Sequence, residues 1–211
     1  MRLKFVPRAA EVIEKSNYAV KEPERFRGRW SVFFGNNNPL HVELGMGKGR
    51  FVMDMARQNP DINFIGIERQ ESVLLRAVEK MEEAPLPNVA LVLYEGDNIE
   101  EMLGEHEIDK IYLNFSDPWP KERHAKRRLT SDRFFPRYDH VLKKEGTIEQ
   151  KTDNKELFAY SLDSAAACGW RILFQTEDLH GSPYAEGNVM TEYEEKFSAN
   201  GNKICKAIYG R

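Results

Sequence analysis

The chain has 211 residues, of which 41% are hydrophobic and 31% are charged. This composition is typical of a globular protein, and it argues against a chain disordered throughout, a collagen-like fibre and a disulfide scaffold. The two cysteines, Cys168 and Cys205, have no metal-binding spacing, and no apolar run approaches the length of a bilayer span. We therefore expect a cytoplasmic protein with no metal site and no membrane segment.

Charge is unevenly distributed along the chain, although the formal net charge is only −3. Residues 121–144 contain nine basic residues against three acidic ones, and the first thirty residues contain eight against four. Residues 79–109 reverse the sign, with ten acidic residues and one basic residue. Local fields of this kind attract a polyanion even when the total charge does not, so the basic stretches predict nucleic-acid binding. The alternative is an ordinary solvated helix face.

Short apolar runs alternate with longer amphipathic ones from residue 39 onward. Strands are predicted at Leu40–Leu44, Asn63–Glu68, Val89–Tyr94, Lys110–Phe115, Gly146–Gln150, Trp170–Thr176 and Ile204–Tyr209. Helices are predicted at Arg50–Gln58, Glu71–Glu83 and Ile99–Leu103, from a Ser131 cap to about Leu142, and from an Asp153 or Asn154 cap to about Cys168. This alternation predicts a doubly wound α/β domain, Rossmann-like, with a mostly parallel sheet and an antiparallel last strand. Residues 1–38 lack clear periodicity and are interpreted as a basic arm whose order is left open, followed by one domain over 39–211.

Ligands of doubly wound sheets bind at the carboxyl ends of the strands, so the residues directly after each strand carry most information. The first strand is followed by Gly45, Gly47 and Gly49, which permit a sharp turn and a close approach of a ligand to the backbone. Their spacing does not fit the dinucleotide fingerprint, and the chain has no phosphate-binding Walker loop. An ordinary turn remains an alternative for three glycines alone.

Carboxylates occur at or just after four successive strands, namely Glu43, Glu68, Glu95 with Asp97, and Asp117. A pocket edged by these acids would repel a pyrophosphate, because two like charges about 6 Å apart cost on the order of 3 kcal/mol at an effective dielectric constant near 20. The same pocket favours a cationic ligand, and an acid at the end of the second strand can bind a ribose diol. S-adenosylmethionine has both features, so the acids predict this cofactor. Each acid alone could instead be a helix cap or a surface residue.

The fourth strand is followed by the stiff turn Asp117-Pro118-Trp119-Pro120, and the basic stretch begins directly afterwards at Lys121. We interpret the turn as holding an acid beside a transferable methyl group and an aromatic ring near a base. The alternative is a buried structural turn. The closeness of a reactive acid to a phosphate-binding stretch is the most informative feature of the chain.

These motifs resemble those of the bacterial tRNA (guanine-N7)-methyltransferases. The resemblance is carried by 114–121 (NFSDPWPK), Arg123-His124, 126–130 (KRRLT), 151–154 (KTDN), 178–180 (DLH) and 191–197 (TEYEEKF), with Phe34-Gly35-Asn36 and the start Met1-Arg2. It spans essentially the whole chain, and it implies a Rossmann-like methyltransferase domain that makes 7-methylguanosine in the variable loop of tRNA. The sequence leaves open whether the protein is a monomer or a homodimer.

The resemblance also implies roles for individual positions. S-adenosylmethionine is expected at Glu43, Gly45, Gly47, Gly49, Glu68, Glu95 and Asp117; because many relatives have Asp where Glu95 stands, Asp97 or Asn98 could take that role. Asp117 matches the catalytic acid. Substrate binding is expected at Lys121, Asp153, Thr191, Glu192, Tyr193 and Glu194, and RNA contacts at Arg123, His124, Ala125, Lys126, Arg127 and Arg128.

Two other functions remain open from the residues themselves. An exocyclic-amine nucleic-acid methyltransferase has a motif similar to Asp117-Pro118-Trp119-Pro120, but with Pro and Trp in a different order. A non-catalytic RNA-binding protein could use the basic stretches alone, and it would have no need of an acidic cofactor pocket.

Overall fold

The computed structural model describes residues 6–211 and divides into two compact units, Met1–Gly104 (unit 1) and Glu105–Arg211 (unit 2). Met1 and Arg2, which contribute to the family resemblance, lie outside the described residues, as does Lys4 of the basic N-terminal stretch.

Unit 1 is built on three parallel strands in the order β3-β2-β1. The elements are β1 (Leu40–Leu44), α3 (Arg50–Gln58), β2 (Asn63–Glu68), α4 (Glu71–Glu83), β3 (Val89–Leu93) and α5 (Ile99–Met102). Every residue of β1 and β2 is buried, as expected for parallel strands covered on both faces. The structure confirms the predicted bounds of β1, α3, β2 and α4. These bounds could be predicted because the pattern of apolar residues changes where each element begins and ends.

The N-terminal part of unit 1 is folded against this sheet. It contains α1 (Ala9–Lys15), a 3₁₀ turn at Pro23–Phe26 and α2 (Trp30–Phe34). Ala19 forms a parallel bridge with Leu91, which covers the outer edge of β3. The Trp30 side chain is fully buried, and its indole N–H donates to the Met102 carbonyl at 2.9 Å. The domain boundary after residue 38 stays a prediction.

Unit 2 has four strands in the order β4-β5-β7-β6. Its elements are β4 (Ile108–Asn114), α6 (Phe135–Val141), β5 (Leu142–Thr152), α7 (Lys155–Ala167), β6 (Arg171–Thr176), α8 (Glu192–Ala199) and β7 (Cys205–Gly210), with 3₁₀ turns at Glu122–Arg127, Leu179–Gly181 and Pro183–Ala185. β4 and β5 are parallel, and β7 is antiparallel to both β5 and β6. The predicted fold class, a mostly parallel sheet with an antiparallel last strand, is confirmed.

In unit 2, the bounds of β5 and α6 differ most from their predictions. β5 covers eleven residues, because its pairing runs from Ile108–Leu142 on one side to Thr152–Cys205 on the other. The helix predicted from a Ser131 cap begins only at α6. The Ser131 hydroxyl instead donates to the Lys126 carbonyl at 3.2 Å, so this side chain is used inside the loop before the helix.

Within the part of the chain that the structure describes, no helix combines the length and apolar character needed to cross a membrane. Over the same residues, no group of three or more His, Cys, Asp or Glu side chains is arranged to hold a metal ion. Cys168 and Cys205 are both free thiols.

The sequence left two candidates for the cap of α7, and the structure selects Asn154, whose side-chain oxygen accepts the Leu157 N–H at 2.7 Å. Replacing Asn154 with Ala should lower the free energy of unfolding by about 1 kcal/mol, because a backbone donor of the first turn loses its partner. Urea unfolding measures this change. Asp153→Ala is the control, and an equal or larger loss for that variant would contradict the assignment.

Candidate functional site

The turn after β1 has a backbone that favours glycine at three alternate positions. Gly45, Gly47 and Gly49 have φ values of 74°, 60° and 77°. A Cβ atom on Gly45 or Gly47 would meet nothing within 4 Å, whereas a Cβ on Gly49 would lie 2.9 Å from Ala77 Cβ on α4. The first two glycines therefore border open space that a ligand can enter, and the third permits close packing of the turn against α4.

Glu68 connects this glycine turn to the end of β2. Its Oε2 accepts the Gly47 N–H at 3.1 Å, and its Oε1 accepts the N–H groups of Arg69 and Gln70 at 2.9 and 3.0 Å. Burial raises the pKa of the Glu68 carboxyl, against the opposing effect of these three hydrogen bonds. A carboxylate oxygen can accept two hydrogen bonds, and Oε2 accepts one from Gly47. It can therefore accept a second from a ligand group such as a ribose hydroxyl.

The glycine turn packs against β2. The N–H groups of Gly45 and Met46 both donate to the Ile67 carbonyl, at 2.9 and 3.0 Å. A Cβ on Gly66 would lie only 2.3 Å from Met46 Sδ, so the absence of a side chain in the middle of this strand makes room for Met46. Glu43 is buried on β1 in register with Gly66.

A cavity of about 350 Å³ opens beyond the carboxyl end of β3, lined by Glu24, Arg69, Leu93, Tyr94, Glu95, Asn98 and Glu101. The Tyr94 hydroxyl donates to Glu101 Oε2 at 3.0 Å, and burial together with Glu24 and Glu101 raises the pKa of this phenol. Glu95 and Asn98 were predicted cofactor residues. Asp97 lies in the same 3₁₀ turn, Gly96–Asn98.

Three residues that line the cavity, Glu24, Tyr94 and Glu101, have no predicted role from the sequence. Glu24 comes from the 3₁₀ turn of the N-terminal segment and Glu101 lies on α5, away from the strand ends that draw attention in the sequence. The excess of acids over residues 79–109 was the available signal for Glu101. For Glu24 the sequence around it contains no such signal.

The chemistry of unit 1 fits an adenosyl ligand with a positive charge. Open space lies beside Gly45 and Gly47, Glu68 offers a carboxylate to a diol, and Glu24, Glu95 and Glu101 offer acceptors to an amine. Such an acidic lining opposes a pyrophosphate and attracts a cation.

In unit 2, the turn that follows β4 is held in an uncommon backbone conformation. Phe115 and Trp119 have φ values of 50° and 41°, a region that bulky side chains rarely adopt. Asp117 lies between them and is exposed. Positive φ at non-glycine residues costs of order 1–3 kcal/mol and persists where surrounding contacts enforce it, which is common at functional sites.

The basic stretch that follows folds back onto this turn. The Arg127 guanidinium lies 5.0 Å from the centre of the Trp119 ring, and the His124 ring meets Trp119 edge-on at 5.7 Å. Lys121, Arg123, Lys126 and Arg127 are exposed, whereas His124, Ala125 and Arg128 are half-buried. Unit 2 therefore brings the predicted RNA-binding stretch into contact with the turn of the predicted catalytic acid.

The end of β5 carries a buried ion pair. Lys151 Nζ lies 2.6 Å from Glu194 Oε2, and the two side chains are 5% and 0% exposed. Lys151 also donates to the Val189 carbonyl at 2.8 Å, and Glu194 Oε1 contacts Asn188 Nδ2 at 2.7 Å and His180 Nε2 at 3.1 Å. Burial alone would raise the pKa of Glu194, but Lys151 and the hydrogen bonds outweigh it and lower that pKa.

The first turn of α8 is joined to the ends of β4 and β5. The Tyr193 hydroxyl donates to Asp153 Oδ2 at 3.2 Å, and the Tyr193 ring lies 4.9 Å from the Phe115 ring. Thr191 caps α8 by accepting the Glu194 N–H at 2.9 Å. Glu192 lies in the same turn. The predicted substrate residues Asp153 and Tyr193 are thus in contact, whereas Glu194 points into the interior and its contact with substrate stays a prediction.

Comparison with solved structures defines the class of protein. The "Structure of an Antibiotic Related Methyltransferase" matches 87% of this chain and 93% of its own, with a TM-score of 0.66 and 18% identity. The "Crystal structure of a SAM dependent methyltransferase from Aquifex aeolicus" matches 98% of both chains, with a TM-score of 0.57 and 16% identity. Residues 37–207 match the model of a family described as "Putative methyltransferase". The fold is that of a methyltransferase.

Similar sequences identify the family within this class. Proteins named tRNA (guanine-N(7)-)-methyltransferase are similar over nearly the whole chain. That of Lachnoclostridium phytofermentans is 51% identical over 99% of this chain and 97% of its own. That of Listeria welshimeri is 52% identical over 98% of this chain and 96% of its own, and that of Bacillus subtilis is 47% identical over 98% of this chain and 97% of its own. The chain belongs to the tRNA (guanine-N(7)-)-methyltransferase family.

The buried ion pair generates a stability prediction. Lys151→Met should lower the free energy of unfolding by about 3–5 kcal/mol, because the Glu194 charge remains buried without its main partner. Lys155→Met, which removes an exposed pair with Glu177 at 2.8 Å, is the matched control and should change stability little. Urea unfolding compares the two.

The same pair sets a pH dependence. Because the folded-state pKa of Glu194 is lowered, its stabilising contribution is present above the ordinary carboxyl pKa and is lost as the pH falls through the lowered value. Lys151→Met should reduce this acid-dependent loss. An unchanged pH profile of stability together with unchanged urea unfolding would contradict the role given to the pair.

Proposed function

We propose that this protein transfers the methyl group of S-adenosylmethionine to N7 of a guanosine in the variable loop of tRNA, giving 7-methylguanosine. The observation that carries the proposal is identity of 47–52% with relatives named for this activity, over nearly the full length of each chain. The acidic lining of unit 1 and the basic stretch of unit 2 support it independently, since one suits a cationic donor and the other a polyanionic acceptor.

The donor is held by residues of unit 1. S-adenosylmethionine supplies, when bound, an electrophilic methyl group on a sulfonium. Gly45 and Gly47 leave room for it at the backbone, and Glu68 accepts hydroxyl donors through the free capacity of Oε2. Glu95 and Asn98 line the cavity in which an adenine amine can find an acceptor, and Asp97 lies in the same turn. Glu43 lies on β1, next to β2.

The acceptor is handled by residues of unit 2. Guanine N7 has a free lone pair, so no base is required to deprotonate it, and alignment of the nitrogen with the methyl group is the main requirement. The guanine gains positive charge as the bond forms, and a nearby carboxylate, Asp117 or Asp153, stabilises that charge. A carboxylate also accepts hydrogen bonds from guanine N1–H and N2–H₂, which selects guanine over adenine.

The alternatives are less well supported. An exocyclic-amine methyltransferase has a different order of Pro and Trp in its motif, and a non-catalytic RNA-binding protein has no use for the acids of unit 1. Identification of the methylated nucleoside distinguishes the proposed function from an exocyclic-amine methyltransferase. Calorimetry with S-adenosylhomocysteine distinguishes it from a non-catalytic RNA-binding protein. We also expect the protein to act in the cytoplasm, where its tRNA substrate is found; its state as a monomer or a homodimer is an open expectation.

The role of Asp117 is tested by Asp117→Asn. Turnover should fall by roughly 10² or more, because a positioned group that stabilises developing charge is lost, while the affinity for S-adenosylhomocysteine changes far less. The assay uses labelled S-adenosylmethionine and unmodified tRNA transcript, with the modified nucleoside identified by mass spectrometry. Asp163→Asn, on the exposed side of α7, is the control. Equal losses in turnover and cofactor affinity would show that Asp117 only anchors the donor.

Affinity for tRNA should depend steeply on salt. If the basic stretch and the N-terminal segment neutralise about five phosphates, the log–log slope of affinity against salt concentration should be about −3.5 to −4.5. Fluorescence anisotropy of labelled tRNA, measured over a range of KCl concentrations, gives this slope. A flat response would exclude the basic stretch as a phosphate-binding surface.

A further inference from the structure

We propose that Arg128 is a positioning residue that clamps the Asp117 turn, and that it differs in this from the phosphate-binding cations of the same stretch. The sequence grouped Arg128 with Arg123, Lys126 and Arg127 as RNA contacts. The inference rests on the proposed function for its kinetic consequences, but its geometric basis is independent of that function.

The guanidinium of Arg128 bridges two consecutive carbonyls of the turn. Its Nε donates to the Pro118 carbonyl at 3.0 Å, and its Nη2 donates to the Trp119 carbonyl at 3.1 Å. The same group lies over the Tyr160 ring of α7, 4.2 Å from the ring centre. Two bonds from one planar group, with its plane supported by an aromatic ring, fix both the position and the orientation of the guanidinium.

The turn requires such a clamp. Trp119 has a positive φ and precedes Pro120, and a residue before proline is normally restricted to extended backbone. The conformation is therefore unfavourable for the isolated segment and has to be enforced by contacts around it. The bonds to the Pro118 and Trp119 carbonyls fix the Pro118–Trp119 and Trp119–Pro120 peptide planes, the second and third planes after the Asp117 α-carbon counting its own, so they restrain the turn that carries the Asp117 carboxylate.

Burial distinguishes Arg128 from its neighbours. Arg123, Lys126 and Arg127 are exposed, whereas Arg128 is half-buried between the turn and Tyr160. Its backbone is also held, since its N–H donates to the Ala125 carbonyl and its carbonyl accepts the Ser131 N–H, each at 3.0 Å. A side chain fixed in this way is suited to organising the catalytic turn rather than to following a phosphate backbone.

Two substitutions separate the clamp from a phosphate contact. Arg128→Lys keeps the charge but cannot donate in fork geometry to both carbonyls, so kcat at saturating tRNA should fall by about 10- to 100-fold. Arg128→Gln removes the charge, yet the salt slope of tRNA affinity should stay at the wild-type value. Lys126→Gln is the matched control for a phosphate contact, and it should make the slope less steep by about 0.7–0.9.

Hydrogen exchange supplies a readout that does not depend on activity. Arg128→Lys should increase exchange of the backbone amides of Asp117, Trp119 and Lys121, because Pro118 and Pro120 have no N–H, and leave the amides of α8 unchanged. Tyr160→Leu, with Tyr160→Phe as its control, should have the same effect to a smaller extent without removing a charge, and it remains informative if the Arg128 variants fold poorly.

The outcomes are distinct. A wild-type kcat with wild-type exchange for Arg128→Lys would overturn the proposal, as would a loss of salt slope for Arg128→Gln equal to that of Lys126→Gln. If the wild-type protein itself makes no 7-methylguanosine, the proposed function fails, while the exchange data still decide whether Arg128 holds the turn.

Discussion

The arrangement of unit 2 depends on the buried ion pair between Lys151 and Glu194. Each charge is removed from water, which is unfavourable, and the structure compensates through the short contact between them and the polar groups of Asn188, His180 and the Val189 carbonyl. Because Glu194 lies in the first turn of α8, its contact with Lys151 also holds Thr191 and Tyr193 of that turn near the end of β5. The contact of Tyr193 with Asp153 follows from that placement.

The two units hold the loops of their candidate sites by different means. In unit 1 the loop is held through backbone groups. Glu68 accepts three backbone N–H groups, and the Ile67 carbonyl accepts the N–H groups of Gly45 and Met46. In unit 2 the turn after β4 is held through side chains, chiefly Arg128 and the aromatic contacts of Trp119 and Phe115. Backbone attachment leaves the glycine turn free of side chains where a ligand approaches, and side-chain attachment maintains a conformation that the turn would not adopt alone.

Much of the fold could be predicted because its elements are long and periodic. α3 ends at Gln58 and α4 ends at Glu83, as predicted from the sequence. The location of Glu68 and Glu95 at the carboxyl ends of β2 and β3 likewise follows from the predicted strands, whereas their roles as cofactor ligands stay predictions. What could not be predicted were contacts between residues distant in sequence: the burial of Lys151 on β5 depends on α8, and the distinction between Arg128 and Arg127 depends on Tyr160. In the sequence, Lys151, Arg127 and Arg128 are indistinguishable from other charged residues. Ser131 has the residue type and position expected of a helix cap.

The gap left by Gly66 has a consequence for how a ligand reaches unit 1. The buried Met46 side chain occupies that gap, so its sulfur packs against the middle of β2. Moving the turn away from β2 would therefore leave a void in the core. Entry by hinge-like opening is therefore disfavoured at this edge. A ligand instead meets open space beside Gly45 and Gly47 that the fold already provides, so little ordering of the protein has to accompany binding.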